Sequence, residues 1–223
     1  MRQLILTIIS CSYLFADKPI TAENILNLEY ISQPSINVGG TRIAYVKSVP
    51  PSSQSKSRSS FREVWVTDVD GTNQRQFTSG PNNSWSPEWT PDGNLSFLSL
   101  RKEHNKFTQI YTIPTDGGEA VPLTSHSGSV SSYSWSPNGR WIAYISKDKI
   151  SIEEQERKTE GYDMIVMGKE QLYNRLWIFD LETKSHETIF RQDLNVSNFV
   201  WSPDSKFIIF QASEKVNIDK EYL

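Results

Sequence analysis

Two carboxylates stand side by side at Glu153 and Glu154. Paired acids at a cavity mouth would hold a cationic amine, such as the free end of a peptide, by charge-assisted hydrogen bonds. The same residues also fit a solvated helix face. Ser151-Ile-Glu-Glu154 is a capping-box pattern, and Glu153/Arg157 and Glu154/Lys158 are spaced i,i+4 with the acid first, so a short charged helix is expected there. No Gly-x-Ser-x-Gly turn occurs in the 223 residues, and no Ser, Asp and His follow in a context that would assemble a triad. No catalytic residue is therefore expected in this chain, because a serine without a positioned base is a poor nucleophile at neutral pH. His104, His126 and His186 have no His or Cys neighbour at metal-ligand spacing, and the single Cys11 has no partner for a disulfide within the chain. Neither metal nor cofactor is expected, and the three histidines read as surface residues of loops and hairpins.

The elements that would carry these residues repeat. Trp89-Thr-Pro-Asp-Gly93, Trp135-Ser-Pro-Asn-Gly139 and Trp201-Ser-Pro-Asp-Ser205 are versions of one turn. Pro presets φ, Asp or Asn accepts local backbone hydrogen bonds, and Gly takes a positive φ. Ser205 replaces that Gly at a cost of roughly 1 kcal/mol. Trp89 to Trp135, Trp65 to Tyr111 and Phe77 to Leu123 are all steps of 46 residues, whereas Trp135 to Trp201, Tyr111 to Trp177 and Leu123 to Ile189 are steps of 66. The 20 additional residues lie between Trp135 and Trp177, in an insertion at about 147–173. A step near 46 matches a four-stranded propeller blade.

Three strands of each blade are legible. Arg42–Val46, Leu95–Leu98, Arg140–Ile145 and Phe207–Phe210 should be buried between blades. Glu63–Val69, Gln109–Ile113 and Arg175–Leu181 follow, and Arg75–Thr78, Ala120–Thr124 and Glu187–Phe190 close the outer hairpins. The expected fold is all-β, an incomplete β-propeller of four-stranded antiparallel blades over residues 36–223, with about three and a half blades present. Seven blades at this step would need about 320 residues. The Trp rings at 65, 89, 135, 177 and 201 are expected to be largely buried.

Formal net charge is −3 and the pI about 5.7, so no basic field invites nucleic acid. Residues 1–16 read as a signal peptide: Arg2, then the apolar run from Leu4 to Ile9, then Ala16 before Asp17. The expected location is periplasmic or secreted. No stretch after residue 16 is long and apolar enough to span a membrane. Residues 17–35 read as a cap with one or two helical turns begun by Thr21. Lys47 to Ser60, Ser-rich with Pro50-Pro51, reads as a surface loop.

The segment Ile20–Ser35, the Trp-Ser-Pro-Asp/Asn-Gly turns, Ile110–Gly118 and Glu153–Arg157 leading to Tyr173-Asn-Arg-Leu-Trp177 resemble acylaminoacyl-peptidase and dipeptidyl-peptidase members of the prolyl oligopeptidase family. The likeness covers residues 20–223. It implies a serine peptidase whose propeller covers a C-terminal α/β-hydrolase domain absent from this chain and filters peptide substrates by size. The turn motif also appears in Tol-type propellers. An independent protein-binding propeller is therefore the alternative reading.

Overall fold

A computed structural model of the protein describes residues 20–51, 60–80, 82–101, 106–148, 156, 159–161, 172–190 and 192–214. Residues 1–16, Cys11 among them, and His104, Glu153 and Glu154 lie outside the described residues. Helix α1 (Ala22–Leu26) starts where Thr21 predicts: the Asn24 N–H donates to Thr21 Oγ1 at 3.2 Å and the Thr21 N–H donates to Asn24 Oδ1 at 3.0 Å. None of its residues is buried.

The strands form three complete antiparallel sheets and one two-stranded sheet, as the repeat predicts. The first blade is β1 (Tyr30–Ile36), β2 (Arg42–Val49), β3 (Phe61–Asp68) and β4 (Arg75–Gln76). The second is β5 (Ser84–Trp89), β6 (Leu95–Ser99), β7 (Gln109–Ile113) and β8 (Val121–Pro122). The third is β9 (Val130–Trp135), β10 (Trp141–Lys147), β11 (Asn174–Asp180) and β12 (His186–Thr188), and β13 (Asn195–Trp201) pairs with β14 (Ile208–Ser213). The first blade thus begins at Tyr30, upstream of residue 36.

The repeated turn joins the first two strands of each blade. Gly93 N–H donates to Thr90 O, Gly139 N–H to Ser136 O and Ser205 N–H to Ser202 O, each at 2.9 Å. The first turn, which lacks proline, makes the same bond from Gly40 to Asn37 at 2.9 Å. Ser205 does adopt φ +60°, and its hydroxyl accepts the Asn138 N–H at 3.0 Å, so its side chain ties one blade's turn to the next. Gly139 is required for a different reason. A Cβ there would stand 3.0 Å from Pro91 Cβ in the preceding turn.

The core sits between blades. Ala44, Val64 and Val66 of the first blade meet Leu95, Phe97, Tyr111 and Ile113 of the second. Leu98 and Ile110 meet Val130, Tyr133, Ile142 and Tyr144, and Ala143, Ile145 and Leu176 meet Val196. The repeat also sets an aromatic cross-strand pair in each complete blade: Tyr45 opposite Trp65, Phe97 opposite Tyr111, Tyr144 opposite Trp177. The five tryptophans expected to be largely buried each keep a part of their surface exposed. Two of their indoles cross to the preceding blade's backbone: Trp89 Nε1 donates to Ser35 O at 3.0 Å and Trp201 Nε1 to Ser134 O at 3.2 Å. Phe97, Tyr111 and Tyr144 take the fully buried places.

One seam departs from the pattern. Where the first and third blades carry Ser35 and Ser134, the second carries Glu88. There Trp135 Nε1 donates instead to Ser96 Oγ at 2.9 Å, and Ser96 Oγ lies 3.0 Å from Tyr133 Oη. Burial lifts the Glu88 carboxyl to about 7, against a smaller downward pull from the Trp135 backbone N–H.

Phe97→Ala, at 0% exposure in the first seam, should cost about 3–5 kcal/mol in chemical unfolding, because neighbouring strands cannot collapse into the void. For Glu88, the folded state holds its proton above the pH at which the unfolded chain releases it. Its contribution is therefore complete below about pH 4.5 and lost as pH rises to about 7, a fall of roughly 3 kcal/mol that Glu88→Gln should abolish in unfolding curves measured across that range.

Candidate functional site

Successive strands run antiparallel, so the Trp-Ser-Pro turns and the outer hairpin turns share one rim. The loops between the second and third strands, and the crossings from blade to blade, share the other. The chain leaves β10 and returns to β11, on either side of the insertion, at this second rim. The insertion's base is held firmly: the Asp148 N–H donates to Tyr173 O at 2.9 Å, and Arg175 Nε lies 3.0 Å from both Asp148 carboxylate oxygens. Arg175 Nη2 also donates to Asp193 Oδ1 at 2.9 Å, and its guanidinium lies over the Tyr173 ring. Within the insertion, the Glu160 N–H donates to Glu156 O at 2.9 Å, a helical bond in the stretch where the capping box predicts a helix.

Beside this base is a cavity of about 390 Å³ lined by Ser125, His126, Ser127, Lys147, Asp148, Trp177 and His186. Four elements position it. Gln109, fully buried in β7, grips the loop after β8: its Oε1 accepts the His126 N–H at 2.8 Å and the Thr124 hydroxyl at 2.9 Å, and its Nε2 donates to His126 O at 2.9 Å. Gly128 lets that loop close on β10, since a Cβ there would meet Ser146 Oγ at 2.8 Å and Lys147 O at 3.2 Å. The loop thereby carries His126 over Tyr144 of β10. From the other side, β12 brings His186. The Tyr144 hydroxyl lies 3.0 Å from His126 Nδ1 and 2.8 Å from His186 Nδ1.

Sequence reasoning missed this cluster. His126 is 7% exposed and His186 half-buried, so neither is the surface residue expected of it. The rings also pack on aromatics: His126 sits edge-on to Trp177 at 4.5 Å between centroids, His186 meets Phe179 at 4.7 Å, and Trp177 stacks on Tyr144 at 6.4 Å. Burial lowers the pKa of His186 and raises that of the Tyr144 phenol, so both are held neutral at pH 7. The cavity thus offers ring nitrogens and a phenol hydroxyl on an aromatic floor, with Lys147 and the Arg175-bound Asp148 at its edge. Among the described residues no group of three His, Cys, Asp or Glu could hold a metal ion. A larger hollow of about 490 Å³ lies against Trp141, Ile178 and Glu187, where Asp180 already accepts from Trp141 Nε1 and the backbone N–H groups of Glu182 and Thr183. Among the described residues no helix is long and apolar enough to cross a membrane.

No protein-family model matches the chain. In sequence it is 28% identical over 211 residues to an uncharacterized peptidase, YuxL, of Bacillus subtilis, covering 88% of this chain and 31% of that protein. It is 23% identical over 142 residues to dipeptidyl-peptidase 5 of Porphyromonas endodontalis, covering 63% and 20%. The chain therefore spans about a third or less of the length of these curated relatives. In structure it is similar to puromycin hydrolase, with TM-score 0.57 and 15% identity over 82% of this chain and 25% of the other. It is similar also to the acylaminoacyl peptidase of Pyrococcus horikoshii, with TM-score 0.55 and 14% identity over 79% and 27%. These two similarities establish the fold, a propeller portion. The sequence matches add that its relatives are named peptidases.

The lowered pKa of His186 has a consequence for stability. Unfolding lets the ring take a proton that the folded cavity disfavours, so its stabilising contribution is complete above about pH 6.5 and declines as pH falls through the lowered value. Thermal unfolding between pH 7.5 and 5 should show this decline, and His186→Asn should reduce it.

Proposed function

We propose that this chain is the propeller portion of an exported serine peptidase of the acylaminoacyl- and dipeptidyl-peptidase type, and that it filters peptides on their way to an α/β-hydrolase domain carried elsewhere in the protein. The observation that carries this reading is the sequence similarity to a named peptidase over 211 residues, of which the chain covers only 31%. More than two thirds of that relative's length is thus available for catalysis. The exposed apolar side chains on the outward faces of the end sheets, Ile31 on β1 and Ile209 on β14, are surfaces that further blades would cover.

In this reading the insertion supplies the recognition element. Glu153 and Glu154 bind the free amine of the peptide, and the Asp148–Arg175 clamp holds the insertion's base at the rim. The hydrolase domain performs the chemistry. The propeller contributes exclusion of folded proteins and orientation of short chains, which act on substrate binding more than on the chemical step. Residues 1–16 direct export and are then removed.

The test is made on the complete gene product. It should be labelled by a fluorophosphonate serine probe and should cleave short peptides but not folded proteins. Glu153→Gln with Glu154→Gln should raise KM about tenfold or more for peptides with a free amino terminus, with kcat little changed and N-acetylated peptides unaffected. Absence of labelling, or equal effects on free and acetylated peptides, would contradict the respective parts of the proposal. An intact Met1 on protein recovered from the cytosol of the native host would reject export.

A further inference from the structure

Tyr144 Oη is a meeting point of three elements that are distant in sequence. β10 carries the phenol, the loop after β8 brings His126 Nδ1 to 3.0 Å, and β12 brings His186 Nδ1 to 2.8 Å. A phenol has one proton. With both rings neutral it donates to one imidazole and accepts from the other, and the two rings are then opposite tautomers. Two ring nitrogens thus lie within 3.0 Å of one oxygen, with the two imidazole centroids 5.6 Å apart.

Separations of this size belong to the inner shell of a metal ion. Two donors each about 2.0–2.1 Å from a tetrahedral ion lie about 3.3 Å apart, so each oxygen–nitrogen separation would widen by a few tenths of an ångström to admit one. We propose that His126 Nδ1, His186 Nδ1 and Tyr144 Oη form a binding site for a divalent transition-metal ion of the zinc or copper type. Imidazole and oxygen donors suit these ions, and three protein ligands leave an open coordination position for a water molecule or an anion. The cavity lined by both histidines provides access. The site is already braced, since Gln109 fixes the His126 backbone and Trp177 and Phe179 flank the rings.

Burial disfavours the phenolate while the tyrosine is metal-free, and a divalent cation supplies the positive charge that reverses this. Tyr144 exchanges its phenol proton for the ion. The imidazole that carried its proton on Nδ1 moves it to Nε2, so one proton leaves the protein per ion bound. This proposal stands apart from the peptidase reading, because it concerns only residues of this chain and its test does not involve hydrolysis.

The experiment is titration of the metal-free protein with Zn²⁺ by calorimetry in two buffers of different ionisation heat, with Cu²⁺ as the spectroscopic probe. One ion per chain, one proton released per ion, and a visible phenolate-to-copper charge-transfer band are expected. Tyr144→Phe preserves the ring and the packing. It should abolish the band and the proton release and weaken Zn²⁺ binding more than about tenfold. His126→Asn combined with His186→Asn should remove saturable binding, with circular dichroism reporting that the fold persists. Should the histidine variants fail to fold, nitrogen hyperfine coupling from two imidazoles in the copper-loaded natural protein carries the same decision. No saturable binding to the natural protein, a copper spectrum without the band or without two imidazoles, or a Tyr144→Phe variant that binds and releases protons as before would each overturn the proposal.

Discussion

Burial of one sheet face against the next is the constraint on which the rest of the structure depends. A four-stranded sheet leaves two faces to cover, and a blade has no helix to cover either. Ala44, Val64 and Val66 are buried only because Leu95, Phe97 and Tyr111 of the following blade lie against them. The same is true of Leu98 and Ile110 against Ile142 and Tyr144, and of Ile145 and Leu176 against Val196. Each seam removes large aromatic and β-branched surface from water, at about 25 cal/mol per Å² of apolar area. Stability is therefore distributed along the array in nearest-neighbour increments, as in other repeat architectures.

The polar parts of the seams set register. Three equivalent indoles cross from one blade to the one before it, two onto backbone carbonyls and one onto the Ser96 hydroxyl. A buried indole N–H without an acceptor is costly, so each of these bonds favours one relative placement of two sheets. The exception at Ser96 occurs where Glu88 replaces a serine. The seam between the second and third blades thereby contains a carboxyl whose pKa burial lifts and the buried Tyr133 hydroxyl beside it. It responds to pH in the opposite sense to His186, since one group stabilises the fold as an acid and the other as a neutral base.

The same seam architecture makes the cavity at the insertion. Loops that cross between blades must pass over the sheet edge they have just left, and the crossing after β8 lays His126 across Tyr144 for that reason. The interaction of Gln109 with His126, Thr124 and Gly128 turns the loop into a rigid part of the blade. Arg175 does the same for the insertion's base by joining Asp148 to Asp193. Recognition of a peptide and binding of a metal ion are separate proposals about one rim, and both draw on backbone held in place by side-chain hydrogen bonds and ion pairs.

Local chemistry made much of this legible from the residues alone. The Trp-Ser-Pro-Asp/Asn-Gly turns, the equal steps of 46 residues and the position of the insertion depend on φ preferences and on a period, both of which are written into neighbouring positions. Strands β2, β3, β6, β7, β10 and β11 were readable because β-branched and aromatic residues crowd into short runs. The inner strand β5 was not, since Trp85-Ser-Pro-Glu88 contains a proline and a bulge with Ser86 at φ +51°, features that locally argue against a strand. The histidine cluster was hidden for a deeper reason. His126 and His186 are 60 residues apart and Tyr144 lies between them, and nothing in their spacing relates one to another. Pairing of Tyr144 with Trp177 and of Phe179 with His186, together with the loop that Gln109 holds over β10, brings them together. The amino-acid order determined the blades. Which side chains meet across them was decided by sheet register and by the close approach of one blade to the next.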